Sequence, residues 1–308
     1  MKKIFALLLS AALLVTLLAA CGGGNTTDTD TDTQEPADDA STTQVEEQEP
    51  DTGDASKDDP LNQDEIGEKE LLVVSFGTSY NDSRRETIGA IEKAMQTAFP
   101  DYSVRRAFTS QIIIDHVKDR DGVTIDNVEQ ALERAVNNGV KTLVVQPTHL
   151  MNGLEYEELT DELAKYSDSF EKIAIGDPLL TSDADFEAVM TAITDATKDA
   201  ADGKTAICFM GHGTTADSNS VYSKMQTLLT DKGFNDYYVG TVEATPSLDD
   251  VLAAVQKGNY EKVILRPLMI VAGDHANNDM AGDEDDSWKS TFEKAGYTVD
   301  CQVEGLGQ

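Results

Sequence analysis

The chain has 308 residues and a formal net charge of −33, with 57 acidic side chains against 24 Lys and Arg. Such a polyanion repels phosphate backbones and anionic lipid headgroups, which argues against nucleic acid as a partner. Three cysteines, Cys21, Cys208 and Cys301, form no disulfide framework and no Cys-x-x-Cys metal pattern.

Residues 1–21 stand apart from any fold. Lys2 and Lys3 precede an apolar run over 4–18, and Leu-Ala-Ala-Cys at 18–21 resembles the lipobox of bacterial lipoproteins. The expectation is cleavage before Cys21 and acylation there. That would anchor the chain on the extracytoplasmic face of the membrane. A plain signal peptide or a single span is the alternative. Residues 22–69 are rich in Thr, Asp, Glu, Gln and Gly, with few aliphatics and no aromatic residue. They cannot bury enough apolar surface to offset their ordering entropy, so they are expected to be a disordered acidic tether.

From 71 onward apolar strand patterns alternate with helical ones. Strands are expected at 71–76, 103–107, 142–145, 170–175, 205–210, 236–241, 262–270 and 298–303. Helices are expected at 83–98, 112–119, 125–138, 155–167, 183–200, 219–232, 247–257 and 287–295. Strands separated by helices predict an α/β fold with parallel, doubly wound sheets. The pattern also recurs. Val-Val-Ser-Phe-Gly-Thr at 73–78 matches Phe-Met-Gly-His-Gly-Thr at 209–214, and 146–153 resembles 266–273. Two similar lobes are expected, 71–190 and 191–308, with a cleft between them that suits a ligand.

No Gly-x-Gly-x-x-Gly, P-loop or Gly-x-Ser-x-Gly motif is present, so nucleotide chemistry and a hydrolase elbow lack support. The chain holds four histidines, His116, His149, His212 and His275. The last three follow apolar strand-like runs and stand in loops, where open α/β sheets place ligands. His116 lies in a helical stretch and reads as unremarkable surface. His212, between two glycines, is either a functional imidazole or a turn histidine bonded to backbone. Glu243 by itself reads as a solvated loop carboxylate. Together with His212 and His275 it would suit a divalent first-row metal, or base chemistry on an acidic N–H.

Several stretches carry a resemblance. They are Leu-Val-Val-Ser-Phe-Gly-Thr-Ser-Tyr at 72–80, Arg-Ala-Phe-Thr-Ser at 106–110, Met-Gly-His-Gly at 210–213, Val-Glu at 242–243 and Pro-Leu-Met-Ile-Val-Ala-Gly-Asp-His-Ala-Asn-Asn-Asp-Met at 267–280. In order, they resemble the anaerobic cobalt chelatases, the sirohydrochlorin cobaltochelatases of the class II chelatase type. The resemblance implies two α/β lobes around a tetrapyrrole cleft. It also implies insertion of Co2+ into sirohydrochlorin without a nucleotide, with Fe2+ and Ni2+ open as other ions. It carries over His212, Glu243 and His275 as metal residues, with His212 and His275 catalytic and the ligand and base roles undivided. His149, Ser75 and Thr78 are carried over as weaker substrate-binding candidates. A homo-oligomer stays open. Many members of that family continue past Gly-Leu-Gly with a final helix, whereas this sequence stops at Gln308. An anchored tether instead suits a second reading, in which the same cleft captures a tetrapyrrole or metal for uptake without catalysis.

Overall fold

The structure, a computed structural model, describes residues 51–308. The expected signal segment, and the tether up to residue 50, lie outside the described residues. Among the described residues no helix is long and apolar enough to cross a membrane.

Two four-stranded parallel sheets form the core. The first holds β1 (Lys69–Ser75), β2 (Ser103–Phe108), β3 (Thr142–Pro147) and β4 (Lys172–Ile175), in the order β2-β1-β3-β4. The second holds β5 (Thr205–Gly211), β6 (Tyr237–Thr241), β7 (Lys262–Pro267) and β8 (Thr298–Cys301), in the order β6-β5-β7-β8. The two topologies are the same, as the repeated motifs predict. The central strands β1 and β5 are buried almost throughout because helices cover both faces of each sheet.

Side chains alternate between those faces with the two-residue period of a strand. Leu72 and Val74 pack with Leu132 and Ala135 of α4 (Val128–Asn137) and with Leu159 and Leu163 of α5 (Leu154–Lys165). Leu71 and Val73 face the other way, toward Ile91 and Met95 of α2 (Ile88–Ala98). In the second sheet Ala206, Cys208 and Met210 meet Val251 and Val255 of α8 (Leu248–Val255) and Trp288 and Phe292 of α9 (Trp288–Lys294). Cys208 is therefore a small core residue.

Four expectations need correction. First, the lobe boundary at 190/191 is too late. Helix α6 (Asp183–Thr197) starts at a Ser182/Asp185 capping box and lays Phe186, Val189, Met190 and Ile193 against Ile207 and Phe209 of β5 and Met225 of α7 (Ser220–Asp231). Its apolar face belongs to the second lobe. Second, the helix expected at 83–98 is two helices, α1 (Asn81–Glu86) and α2, broken at Thr87. Thr87 adopts φ −110° and ψ −74°, its hydroxyl turns back to Ser83 O at 2.6 Å, and Gly307 packs against it.

Third, β7 ends at Pro267 rather than 270, because β5 turns away at Gly211 and offers no further ladder. Fourth, residues 51–68 are not tether but a packed arm. Leu61 joins the cluster of Leu71, Val73 and Val104, and its carbonyl accepts from Arg106 N–H on β2 at 3.2 Å, which covers the sheet's edge. Asp58 enters between Arg84 and Arg106. The packing of Leu61 and Ile66 and the two buried ion pairs of Asp58 outweigh the acidic composition that argued for disorder.

Candidate metal centre and cleft

A doubly wound sheet opens a crevice at the C-terminal ends of its strands, where the strand order reverses. In the second sheet that point lies between β5 and β7. His212 directly follows β5, Glu243 follows the neighbouring β6, and His275 lies on the loop after β7. Gly213, at φ +91°, makes the tight turn that lifts His212 clear of the sheet. A Cβ there would lie 2.9 Å from Ala244, so only glycine fits. Glu243 N–H donates to His212 O at 2.9 Å, which ties the two loops together. His275 opens a π-helical turn, Ala276–Met280, whose Ala276 and Met280 are anchored in the core.

The three side chains converge. His212, Glu243 and His275 each present a ligand atom, all within 4.8 Å of one another. The imidazoles meet edge to face with ring centroids 4.6 Å apart. His212 Nδ1 lies 2.8 Å from Gly213 O, and His275 Nδ1 lies 2.8 Å from Asp279 Oδ2. A carbonyl and a carboxylate accept, so in a neutral ring each Nδ1 carries the proton and each Nε2 keeps its lone pair. His212 thus bonds backbone through Nδ1, as one of its two readings expects, and that bond leaves Nε2 available. Asp279 was not singled out in the sequence. Its position four residues after His275, one helical turn on, is the signal that could have marked it as the carboxylate orienting a ligating imidazole.

The first lobe supplies the opposite wall. His149 is buried, neither ring nitrogen has a hydrogen-bond partner, and Nε2 stands 3.7 Å from Glu155 Oε2. Burial lowers the His149 pKa to about 4, so the ring is neutral. Burial raises the Glu155 pKa, partly offset by His212 across the cleft. Glu155 opens the helix expected at 155–167, and the structure brings it to the site. Ser75 and Thr78 engage their hydroxyls within the fold. Both are buried; Thr148 Oγ1 donates to Ser75 Oγ at 2.8 Å, and Tyr80 N–H donates to Thr78 Oγ1 at 3.2 Å. Their hydroxyls shape the β1–α1 loop. His116 is exposed on α3 (Gln111–Asp121), away from the sheet ends.

Strand register relates the two walls. Ser75 pairs with Phe108 as Gly211 pairs with Thr241, and Val74 pairs with Pro147 as Met210 pairs with Pro267. Counting on from these pairs, Phe76 occupies the place of His212, Ser110 that of Glu243 and Glu155 that of His275. At the place of His212 the first lobe thus carries an apolar ring, with Ser110 and Glu155 at the other two places. Phe76, Ile112, Leu154 and Leu179, 46%, 83%, 63% and 37% exposed, all follow C-terminal strand ends of the first sheet.

Two like-topology lobes, with a trio of candidate ligand side chains at the switch point of one, define a protein of the chelatase fold. Two solved structures share it: sirohydrochlorin chelatase SirB from Bacillus subtilis subspecies spizizenii in complex with cobalt (TM-score 0.52, 15% identity, covering 77% of this chain and 88% of that one) and SirB from Bacillus subtilis with Fe3+ (TM-score 0.54, 15% identity, 77% and 89%). Within that class, the chain belongs to the cobalt chelatase (CbiK) family, whose sequence pattern matches residues 69–308. It is 38% identical over 240 residues to the sirohydrochlorin cobaltochelatase of Salmonella typhimurium, spanning 78% of this chain and 90% of that protein. It is 31% identical over 230 residues to sirohydrochlorin cobaltochelatase CbiKC of Nitratidesulfovibrio vulgaris, spanning 74% and 80%.

Proposed function

We propose that this protein is a sirohydrochlorin cobaltochelatase that inserts Co2+ into the macrocycle without a nucleotide. The observation that carries the reading is the trio of His212, His275 and Glu243, each offering one ligand atom, a ring nitrogen or a carboxylate oxygen, gathered within 4.8 Å. Two neutral imidazoles and one carboxylate suit a divalent first-row ion as substrate, and an open trio leaves coordination positions for incoming pyrrole nitrogens. The apolar edge formed by Phe76, Ile112, Leu154 and Leu179 suits one face of a flat macrocycle. Insertion must release two pyrrole protons. Glu155, whose proton affinity is raised by burial, offers an acceptor on the wall opposite the ion. The lipobox-like 18–21 segment supports anchoring at Cys21 on the extracytoplasmic membrane face.

The test is anaerobic metallation of sirohydrochlorin followed by visible absorption. The wild-type protein should accelerate insertion of Co2+ over a protein-free control. His212→Ala and His275→Ala should each lower the rate by at least about 100-fold, the scale of losing a group that acts in the reaction. Retained turnover in both variants refutes the assignment. A stable bound macrocycle with no acceleration in the wild type turns the reading to capture for uptake.

A further inference from the structure

The arm at 51–62 is coupled, through α1, to the loop that carries His275. Asp58 is nearly inaccessible, with 5% side-chain exposure, and accepts from Arg84 Nε at 2.5 Å and from Arg106 Nη1 and Nη2 at 2.7 and 3.0 Å. Glu92 holds the other side of Arg106 at 2.7 Å. Arg84 then donates to Thr78 O at 3.0 Å and to Asn81 Oδ1 at 2.5 Å. The arm also grips the start of α1 directly: Asn81 Nδ2 donates to Gly53 O at 3.1 Å, and Asp82 N–H donates to Thr52 O at 2.9 Å.

The far side of this joint touches the second lobe. Ala272 N–H donates to Ser83 Oγ at 3.0 Å. Thr78 Oγ1 sits so close to Gly273 that a Cβ there would come within 3.2 Å. Gly273 O in turn accepts from the Asn277 backbone N–H at 3.1 Å and from its side-chain amide at 2.8 Å, which fixes the turn that begins at His275.

We propose that Asp58, Arg84 and Ser83 are positioning residues for His275. The arm holds α1, α1 holds residues 272–273, and these set where the His275 imidazole stands relative to His212. The inference rests on the reading of His275 as a metal-binding group. Asp58 is the carboxylate that neutralises Arg84. Without it that buried guanidinium keeps only the neutral acceptors Thr78 O and Asn81 Oδ1, a strongly unfavourable state that shifts the loop it braces. Sites of this kind tolerate displacements of roughly 0.5 Å.

The test is Co2+ binding to the purified full chain, without tetrapyrrole, by competition with a chromophoric chelator. His275→Ala should lose binding. Ser83→Ala should weaken it about 3- to 10-fold, the scale of one net hydrogen bond, and Ser83→Thr, which keeps the hydroxyl, should restore it. Asp58→Asn should weaken binding by a similar factor. Combined with Ser83→Ala it should give less than the product of the two, because both act on one joint. In the insertion assay these variants should raise KM for Co2+ and leave KM for the macrocycle unchanged, a split that a merely structural brace does not produce. If His275→Ala binds like the wild type, the metal reading itself fails. If His275→Ala loses binding while Ser83→Ala and Asp58→Asn keep wild-type affinity, the positioning role is overturned and the metal reading stands. Should Asp58→Asn not fold, the Ser83 pair decides.

Discussion

Replacing Glu70 by Gln should change how stability responds to pH, and His149 is the reason the effect is hidden in the wild type. Glu70, the second residue of β1, is fully buried, and neither carboxylate oxygen has a hydrogen-bond partner. Burial pushes its pKa from 4.5 up to about 7, against the pull of Arg105. Burial moves His149 the other way, from 6.5 down to about 4. Either displacement corresponds to about 3 kcal/mol. Glu70 favours the folded state while protonated. Its contribution is whole below pH 4.5 and is lost as pH rises through about 7. His149 favours the folded state while neutral. Its contribution is whole above pH 6.5 and is lost as pH falls through about 4.

Between pH 4.5 and 6.5 the two run in opposite directions by about 2 kcal/mol each, so this pair leaves the wild type nearly level. Glu70→Gln removes the falling limb, and stability relative to wild type should climb by about 2 kcal/mol across that interval. His149→Asn should give the mirror image, a decline of about the same size. Urea unfolding at several pH values measures this, with the midpoint read at constant m. Carboxylates common to all variants cancel in the difference. If Glu70→Gln tracks the wild type at every pH, Glu70 does not titrate as a buried acid and the reasoning fails.

Two further outcomes concern the cleft and the anchor. Leu154 is 63% exposed, so Leu154→Ser should change stability by less than about 0.5 kcal/mol while raising KM for the macrocycle several-fold. Co2+ binding by the protein alone should stay as in wild type, and an unchanged macrocycle KM would remove Leu154 from the binding wall. Cys21→Ser should release the protein from the membrane fraction, checked by fractionation and by the mass of the N-terminal peptide. A variant that stays membrane-bound argues for a span rather than a lipid.

The fold was legible because its signals are local. Leu71–Val74 and Ala206–Met210 read as buried strands from their own composition, and the recurring Gly77 and Gly213 turns exposed the repeat. His212 and His275 were legible for a related reason: each is an imidazole set in loop-forming residues just beyond an apolar run. What stayed hidden depends on partners distant in the chain. Asp58 and Leu61 lie in an acidic stretch whose composition argues for disorder, and nothing within that stretch reveals that Arg84, Arg106 and Val104 will receive them. Helix α6 shows an apolar face but not which sheet it covers. Glu155 acquires meaning only when the second lobe brings His212 opposite it. Ser75 and Thr78 sit at a ligand-bearing edge, but their hydroxyls turn inward, and sequence position does not distinguish the two orientations.

The matched register of the two sheets has a consequence for how a doubled architecture diverges. One ion enters one macrocycle, so two complete ion-binding edges would set two cations against each other across the same gap. A flat ring, however, has two faces and needs a support on each. The half with His212, Glu243 and His275 holds the candidate ligands for the cation. Its counterpart carries Phe76, Ser110 and Glu155 at the matching places and offers contact instead. Two lobes alike in strand order and register thus differ in the chemistry of their facing edges.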